Sequence, residues 1–144
     1  MSTIEELAIA KALNAKTIAV VGLSSDPAKP SREVAAYLKS HGYNVVPINP
    51  TAVEILGEKC YPSLLDLPEN LKVKIEVADI FRRAQDVPPI VDQVIELHKN
   101  YGQLNSIWMQ LGIVDEDSAV RARKAGLGVV MNHCIMVEHR RRLG

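Results

Sequence analysis

The chain has 144 residues, of which 47% are hydrophobic and 24% are charged, and its formal net charge is zero. These values are ordinary for a soluble globular protein, so we expect residues 1–144 to form a single domain. A balanced charge and an aromatic content of 4% argue against nucleic-acid and membrane-surface partners. Two cysteines without a CxxC pair, and no signal peptide or membrane-spanning apolar run, favour a cytoplasmic location.

Strand and helix patterns alternate along the chain. A capping box at residues 2–5 predicts a helix from Ser2 to about Leu13, which would pack on the domain as an N-terminal segment, residues 1–14. Apolar runs predict strands at residues 17–22, 44–48, 74–80, 105–110 and 127–131. Helices are predicted at 32–41 with Ser31 as the N-cap, at 87–99, at 115–125 and at 134–142.

Two stretches fit this alternation less well. Pro47 is unsuited to a central strand, so the second strand is expected to end there. The stretch with Gly57, Pro62 and Pro68 is expected to form loops and one short turn of helix.

This alternation predicts an α/β fold, a doubly wound, Rossmann-like sheet of five parallel strands with helices on both faces. In such sheets a ligand binds beyond the carboxyl ends of the strands, where the strand order reverses. The loops that follow the five strands are therefore the candidate binding segments.

The first of these loops, GLSSDPAKPSR at residues 22–32, has the composition of a phosphate site. Gly22 lets the backbone approach a ligand, and Ser24 and Ser25 offer hydroxyl groups. The following helix N-terminus, with Lys29 and Arg32 nearby, favours an anion. The spacing matches neither GxGxxG nor GxxxxGKS/T, and a solvated turn that caps a helix is the alternative.

The second and third loops also carry candidate ligand contacts. Asn49 and Pro50 stand where an NAD-binding domain usually has an acid for the ribose hydroxyls, which weakens the NAD interpretation. Arg82 and Arg83 directly follow the third strand and can bind phosphate, while the ring of Phe81 could flank a base. The alternative is a charged surface turn with Phe81 in the core.

The remaining loops give weaker signals. Gln110 ends the fourth strand with an amide suited to pairing with other amides, and Gly112 allows close approach, while Trp108 is expected in the core. His133 and Cys134 suggest a nucleophile or a metal ligand, but a small buried cysteine is the favoured interpretation.

No catalytic or metal-binding constellation is predicted. Glu76, Asp79 and Glu138 are too scattered to argue for paired-carboxylate catalysis, and no Ser-His-Asp arrangement stands out.

Four segments in order carry a resemblance to a known family. VGLSSDPAKPSREVAAYLKSHGYNVVPINP, DIFRR, WMQLG and NHCIMVEHRR resemble the small stand-alone CoA-binding proteins, whose fold is similar to the CoA-binding domain of the succinyl-CoA synthetase α-subunit. The resemblance extends over about residues 15–142. It implies a module that binds coenzyme A or acyl-CoA, since 144 residues leave no room for the synthetase's phosphohistidine domain or its nucleotide-binding subunit.

The resemblance also implies which residues contact the ligand. They are Gly22, Ser24, Ser25, Lys29, Pro30, Ser31, Asn49, Pro50, Phe81, Arg82, Arg83, Gln110, Gly112 and Cys134. The first loop would take phosphate, residues 49–50 and Phe81 would flank the adenosine end, and the arginines would neutralise phosphate. Residues 110–112 would lie along the pantetheine arm. Cys134 would lie near the arm, and a mixed disulfide with the CoA thiol is a hypothesis.

Other functions stay open at this stage. They are an NAD-linked oxidoreductase, a small CoA-dependent transferase that uses Cys134 or His133, and a structural or regulatory subunit that has lost its ligand. The sequence does not identify a protein partner, and association between copies of the chain also stays open.

Overall fold

The computed structural model describes residues 3–143 and shows strands and helices in alternation. The elements are α1 (Thr3–Leu13), β1 (Thr17–Val21), α2 (Pro30–Ser40), β2 (Asn44–Ile48), β3 (Glu54–Ile55), β4 (Glu58–Lys59), α3 (Glu69–Lys72), β5 (Val77–Ile80), α4 (Val87–Tyr101), β6 (Ser106–Met109), α5 (Glu116–Lys124), β7 (Gly128–Val130) and α6 (Ile135–Arg142). Short 3-10 turns occur at Leu64–Asp66 and Ala84–Asp86. The predicted first helix is present, although its proposed cap, Ser2, lies outside the described residues.

The five predicted strands form one parallel sheet in the order β2-β1-β5-β6-β7. From β1 the chain moves outward to β2, and from β5 it moves outward in the other direction. The strand order therefore reverses between β1 and β5, which pair directly with Val21 opposite Ile80. This arrangement confirms the predicted doubly wound, Rossmann-like fold.

Helices cover both faces of the sheet. On one face α4 and α5 pack against apolar residues that include Ala78 and Ile80 of β5. On the other face α1, α2 and α6 cover a second layer that includes Val77 and Trp108. Trp108 is fully buried, as expected, and its indole N–H donates to the carbonyl of His133 at 2.8 Å. Within residues 3–143, no helix combines the length and apolar character needed to cross a bilayer.

The sequence did not predict the antiparallel hairpin formed by β3 and β4. Leu56 and Gly57 form its turn with positive φ angles of 57° and 76°. Two-residue hairpin turns of this kind usually carry Asn or Asp before Gly, and leucine rarely adopts such a conformation. The sequence therefore lacks the usual residues of a hairpin turn. The one short turn of helix expected in this region is present as α3, and a 3-10 turn at Leu64–Asp66 precedes it.

Several strand boundaries differ from the prediction by a residue or more, and two of these differences have a clear local cause. β5 begins at Val77 rather than at residue 74, since the N–H of Ile75 donates to Leu71 at 3.0 Å and extends the α3 turn. Pro47 lies inside β2, which runs on to Ile48. β2 is an edge strand, where the missing N–H of proline is tolerated.

The prediction of Ser31 as the N-cap of the second helix is wrong. The helix begins two residues earlier than predicted, at Pro30, and Lys29 occupies the N-cap position. Proline fits the first helical position because its fixed φ and missing N–H cost nothing there. The Ser31 side chain is free for another role, described below.

Candidate functional site

A cavity of about 580 Å³ opens at the carboxyl edge of the sheet, where the strand order reverses. The loops after β1 and β5 form two of its walls, because the chain leaves these neighbouring strands in opposite directions. The predicted first-loop contacts that line it are Gly22, Ser24, Lys29, Pro30 and Ser31. Later loops contribute Phe81, Arg82, Arg83, Gln110 and Cys134.

Side chains of the first loop hold that loop in shape. The backbone N–H of Ser24 donates to Oγ of Ser31 at 3.0 Å, and the N–H of Asp26 donates to Oγ of Ser24 at 3.0 Å. The N–H of Ala28 in turn donates to Oδ1 of Asp26 at 2.9 Å. Each serine oxygen accepts within the loop, and each hydroxyl proton can still be donated to a ligand.

Gly22 brings the loops after β1 and β5 into direct contact. Its φ is 86°, and a Cβ atom there would lie 2.5 Å from the carbonyl oxygen of Phe81 and 2.8 Å from Cδ of Arg82. Glycine is therefore required by the approach of the neighbouring loop. The prediction that Gly22 lets the backbone approach a ligand did not include this contact between two loops of the chain.

The positive charge at the cavity comes from three exposed side chains. Arg83 donates to Oδ2 of Asp86 at 3.2 Å, and Arg82 donates to the same oxygen at 3.5 Å. Lys29 lies across the cavity in the first loop and forms no ion pair with any residue in the described part of the chain. Because the lining contains three cations and no acidic side chain, the cavity favours an anion.

Gln110 of the cavity lining belongs to a buried polar pair with Asp79, which lies behind the lining. Nε2 of Gln110 donates to Oδ1 of Asp79 at 2.5 Å, and both side chains are buried. Oδ2 of Asp79 has no hydrogen-bond partner among residues 3–143. Burial raises the pKa of Asp79 from 3.8 to about 7, against the opposing effect of the hydrogen bond from Gln110.

Asp79 escaped the sequence analysis, which treated the acids as scattered. It stands in the short strand VADI, whose four residues are all buried. A carboxyl group inside an otherwise apolar strand is rarely buried without a reason. That pattern was the available signal.

Four predicted contacts lie outside the cavity lining. Ser25 is exposed, and Pro50 lines an adjoining cavity of about 240 Å³ that shares Gly22 and Arg82 with the main one. Asn49 and Gly112 each form hydrogen bonds that link one loop to another.

Asn49 links the loops after β1 and β2. Its Nδ2 donates to the carbonyl of Leu23 at 2.9 Å, and its Oδ1 accepts from the N–H groups of Thr51 and Ala52, both at 2.8 Å. Gly112 makes a similar link, since its N–H donates to Oδ1 of Asn132 at 2.7 Å.

Cys134 and His133 are adjacent in sequence but point to different surroundings. Cys134 is a free, half-buried thiol that lines the cavity just before α6. Nε2 of His133 lies 3.2 Å from Oε1 of Glu5, and its Nδ1 lies 3.7 Å from Oε2 of Glu138, in the contact between α1 and α6. Among residues 3–143, no group of three or more potential ligands is placed to hold a metal ion.

A second cavity, also of about 580 Å³, lies beside β2. Thr17 and Asn44, the first residues of β1 and β2, line it, so it reaches the amino end of these strands. Doubly wound sheets bind ligands at the opposite, carboxyl end. The cavity between the loops after β1 and β5 is therefore the candidate site.

Comparison with known proteins shows the family to which the chain belongs. A model of the CoA binding domain matches residues 16–140, a range that contains every predicted contact from Gly22 to Cys134. The chain belongs to the CoA-binding domain family. This CoA-binding domain is 33% identical over 124 residues to the uncharacterized protein YneT of Bacillus subtilis, covering 86% of this chain and 85% of YneT.

Two further relatives define the range of the family. A hypothetical protein from Pyrococcus horikoshii has a solved structure that superposes with a TM-score of 0.86 at 39% identity, covering 99% of this chain and 94% of that one. An ADP-forming acetate–CoA ligase of Archaeoglobus fulgidus is 37% identical over 78 residues, 53% of this chain but 11% of the ligase. The CoA-binding domain therefore occurs both in small proteins and as a part of large ligases.

Proposed function

We propose that this protein binds coenzyme A or an acyl-CoA in the cavity at the point of strand-order reversal, without reacting it further. The observation that carries the proposal is the composition of that cavity. Lys29, Arg82 and Arg83 supply positive charge, while Val34, Phe81 and Ile113 supply an apolar wall. CoA has the matching parts, namely phosphates and a long, mostly apolar arm that carries amide groups.

The two adjoining cavities suggest how the ligand would lie. The larger one contains Gln110 and Cys134, so it would take the pantetheine arm and any acyl group. The smaller one shares Gly22 and Arg82 with it and includes Pro50, so it would take part of the adenosine end. Arg82 would then stand between them, where the phosphates join the two halves of CoA.

Ligase activity is not part of the proposal. The match covers 11% of the acetate–CoA ligase, so the remaining ligase domains have no counterpart in these 144 residues. In the described residues, His133 pairs with Glu5 and lies away from the cavity lining. Binding is therefore the part of the ligase function that this chain would retain.

The competing function is that of an NAD-linked enzyme. NAD-binding sheets usually place an acid after the second strand to bind the ribose hydroxyls. Asn49 stands in that region, and its amide is bonded to backbone groups of two loops. This use of Asn49 favours CoA over NAD.

Thermal unfolding with CoA, acetyl-CoA and NAD, each tested separately, distinguishes these functions. A ligand present at about 100 times its dissociation constant adds about 2.7 kcal/mol to the free energy of unfolding. For a protein of this size the midpoint should rise by roughly 5–10 °C. We expect this rise with CoA or acetyl-CoA and none with NAD. A rise with NAD alone would contradict the proposal and identify a nicotinamide site.

A further inference from the structure

Gln110 gives the cavity lining an uncharged polar group that the phosphate and apolar contacts do not explain, and Asp79 lies behind it. Asp79 lies on β5 between Val20 of β1 and Trp108 of β6, and its side chain is fully buried. The apolar neighbours Ala78 and Ile80 face the other side of the sheet, against α4 and α5. An acid in the centre of an apolar sheet lowers the stability of the fold unless its oxygen atoms are hydrogen-bonded or paired.

Within residues 3–143, the side chain of Asp79 forms a hydrogen bond with Gln110 alone. Nε2 of Gln110 donates to Oδ1 of Asp79 at 2.5 Å, whereas Oδ2 of Asp79 is buried without a partner. An amide has a donor end and an acceptor end, and a carboxylate can only accept. The ionised form of Asp79 therefore holds the NH₂ end of Gln110 toward itself, and it turns Oε1 away.

The orientation of Gln110 determines what the cavity offers to a ligand. Gln110 lines the cavity, and no donor in the described part of the chain bonds to its Oε1. The cavity therefore presents Oε1 of Gln110 as a hydrogen-bond acceptor. If Asp79 takes up a proton, its O–H can donate to Oε1, the amide can turn over, and the cavity then presents a donor.

We propose that Asp79 is a positioning residue that sets Gln110 as an acceptor for an amide N–H of the ligand, and that protonation of Asp79 reverses this preference. The inference rests on the proposed function, because the pantetheine arm of CoA supplies the amide N–H groups. It adds a specificity element for the amide-bearing arm, distinct from the cations that favour the phosphates.

The pH range of this reversal is set by the surroundings of Asp79. Burial raises its pKa to about 7, so both forms are populated near neutral pH. β1 and β6 place apolar groups beside it, Val20 and Trp108. No ion pair joins Asp79 to a cation in the described chain.

Other charged groups line the cavity or lie close to it. The lining contributes Lys29 from the loop before α2, Arg82 and Arg83 from the loop after β5, and Cys134 from the segment before α6. Behind that segment, His133 lies between Glu5 of α1 and Glu138 of α6, and Glu138 also pairs with Arg141 and Arg142. Because His133 is adjacent to Cys134 of the lining and lies close to two carboxylates, it needs its own control.

The test compares two ligands by titration calorimetry between pH 6 and pH 8. One is CoA, and the other is 3′-phosphoadenosine 5′-phosphosulfate, which has the adenosine, the 3′-phosphate and a doubly charged 5′ anhydride like that of CoA but no amide-bearing arm. The ratio of the two affinities removes most of the titration of the phosphates. We expect this ratio to fall by up to about tenfold from pH 8 to pH 6, since a single proton is taken up.

Variants assign that pH dependence to a residue. In Asp79→Asn and in Gln110→Ala the affinity ratio should no longer change with pH, whereas His133→Gln should keep the wild-type profile. A wild-type ratio that is constant with pH, with CoA still bound, would overturn the role of Asp79 and leave the proposed function standing. Wild-type protein that binds neither ligand at any pH would overturn both. The change of the wild-type affinity ratio with pH can be measured even if a variant does not fold.

Discussion

Replacing Asp79 by asparagine should stabilise the protein at neutral pH, although it removes a group that we assign to ligand recognition. The pKa of Asp79 is raised by burial from 3.8 to about 7. The folded state therefore holds this proton more tightly than the unfolded chain does. Stability from Asp79 is fully present below about pH 4 and is lost as the pH rises toward 7.

The magnitude follows from the size of the shift. The difference between about 7 and 3.8 is about 3 pKa units, and each unit is worth about 1.4 kcal/mol, so ionisation costs the wild type about 4 kcal/mol above pH 7. Asparagine cannot ionise and escapes this cost. The altered contact with Gln110 also changes the free energy of unfolding, by about 1–3 kcal/mol at every pH. This follows because the NH₂ group of asparagine would replace an oxygen that already lacks a partner.

Urea unfolding of both proteins at pH 4.5, 5.5, 6.5 and 7.5 measures the effect. The free energy of unfolding of Asp79→Asn, minus that of the wild type, should increase by about 3 to 4 kcal/mol across this range, equivalent to roughly 10 °C in the unfolding midpoint. The constant offset cancels because only the change with pH is compared.

An exposed aspartate gives the matched control. Asp117, in the first turn of α5, is exposed, so Asp117→Asn should change stability by less than about 1 kcal/mol at every pH. A difference between Asp79→Asn and the wild type that does not vary with pH would refute the reasoning. It would mean that Asp79 is solvated or that it is paired with a cation.

Two further predictions concern the walls of the cavity. Gly22→Ala should cost about 2–5 kcal/mol of stability in urea unfolding, since it adds a Cβ at 2.5 Å from a carbonyl to the strain of a positive φ. Gly42→Ala, at a φ of 92° with no atom within 4 Å, should cost only about 1–2 kcal/mol, and equal costs would contradict the close contact. Oxidised CoA should form one reducible adduct by intact-mass spectrometry: the Cys134 thiolate attacks the CoA disulfide, a protein–CoA disulfide forms, and one CoA leaves as its thiolate. Cys134→Ser should prevent this adduct and Cys60→Ser should not, because Cys60 is buried and burial raises its pKa; an adduct that persists in Cys134→Ser would contradict the assignment.

The sheet could be predicted from sequence because its signals are local. Runs such as residues 17–21 are short, apolar and rich in β-branched residues, and all five residues of that strand are buried. Alternation with helices then leaves few topologies. The β3–β4 hairpin had no such signal, since Leu56 adopts a conformation that its side chain disfavours.

The site was predictable only in part, for a related reason. The predicted fold class places the loops after the parallel strands at one edge of the sheet. Most of the predicted contacts therefore line one cavity. The pairing of Asp79 with Gln110 joins residues 31 positions apart and depends on which sheet face each one occupies. The hydrogen bonds of Asn49 to backbone groups of two loops likewise depend on how the folded loops meet.

The bond between Ser24 and Ser31 shows how a local rule can mislead. A serine before a helix is usually a cap, but Pro30 already fits the first helical turn, and the serine oxygen is used to shape the loop instead. The sequence contains both a serine that could cap the helix and a proline that suits its first position. Only the folded loop shows that the helix begins at the proline.

Titration calorimetry of CoA with the wild type and with Lys29→Gln tests the central claim, that CoA binds in this cavity. Lys29 lines the cavity and forms no ion pair in residues 3–143, so its replacement removes charge without breaking a contact within the protein. Losing one charge-assisted contact of about 1.5–3 kcal/mol should weaken CoA binding by roughly 10- to 100-fold. Lys99→Gln, at the exposed end of α4, should leave the affinity unchanged. Equal affinities for Lys29→Gln and Lys99→Gln would place any CoA site elsewhere, and a wild-type protein that does not bind CoA would contradict the account.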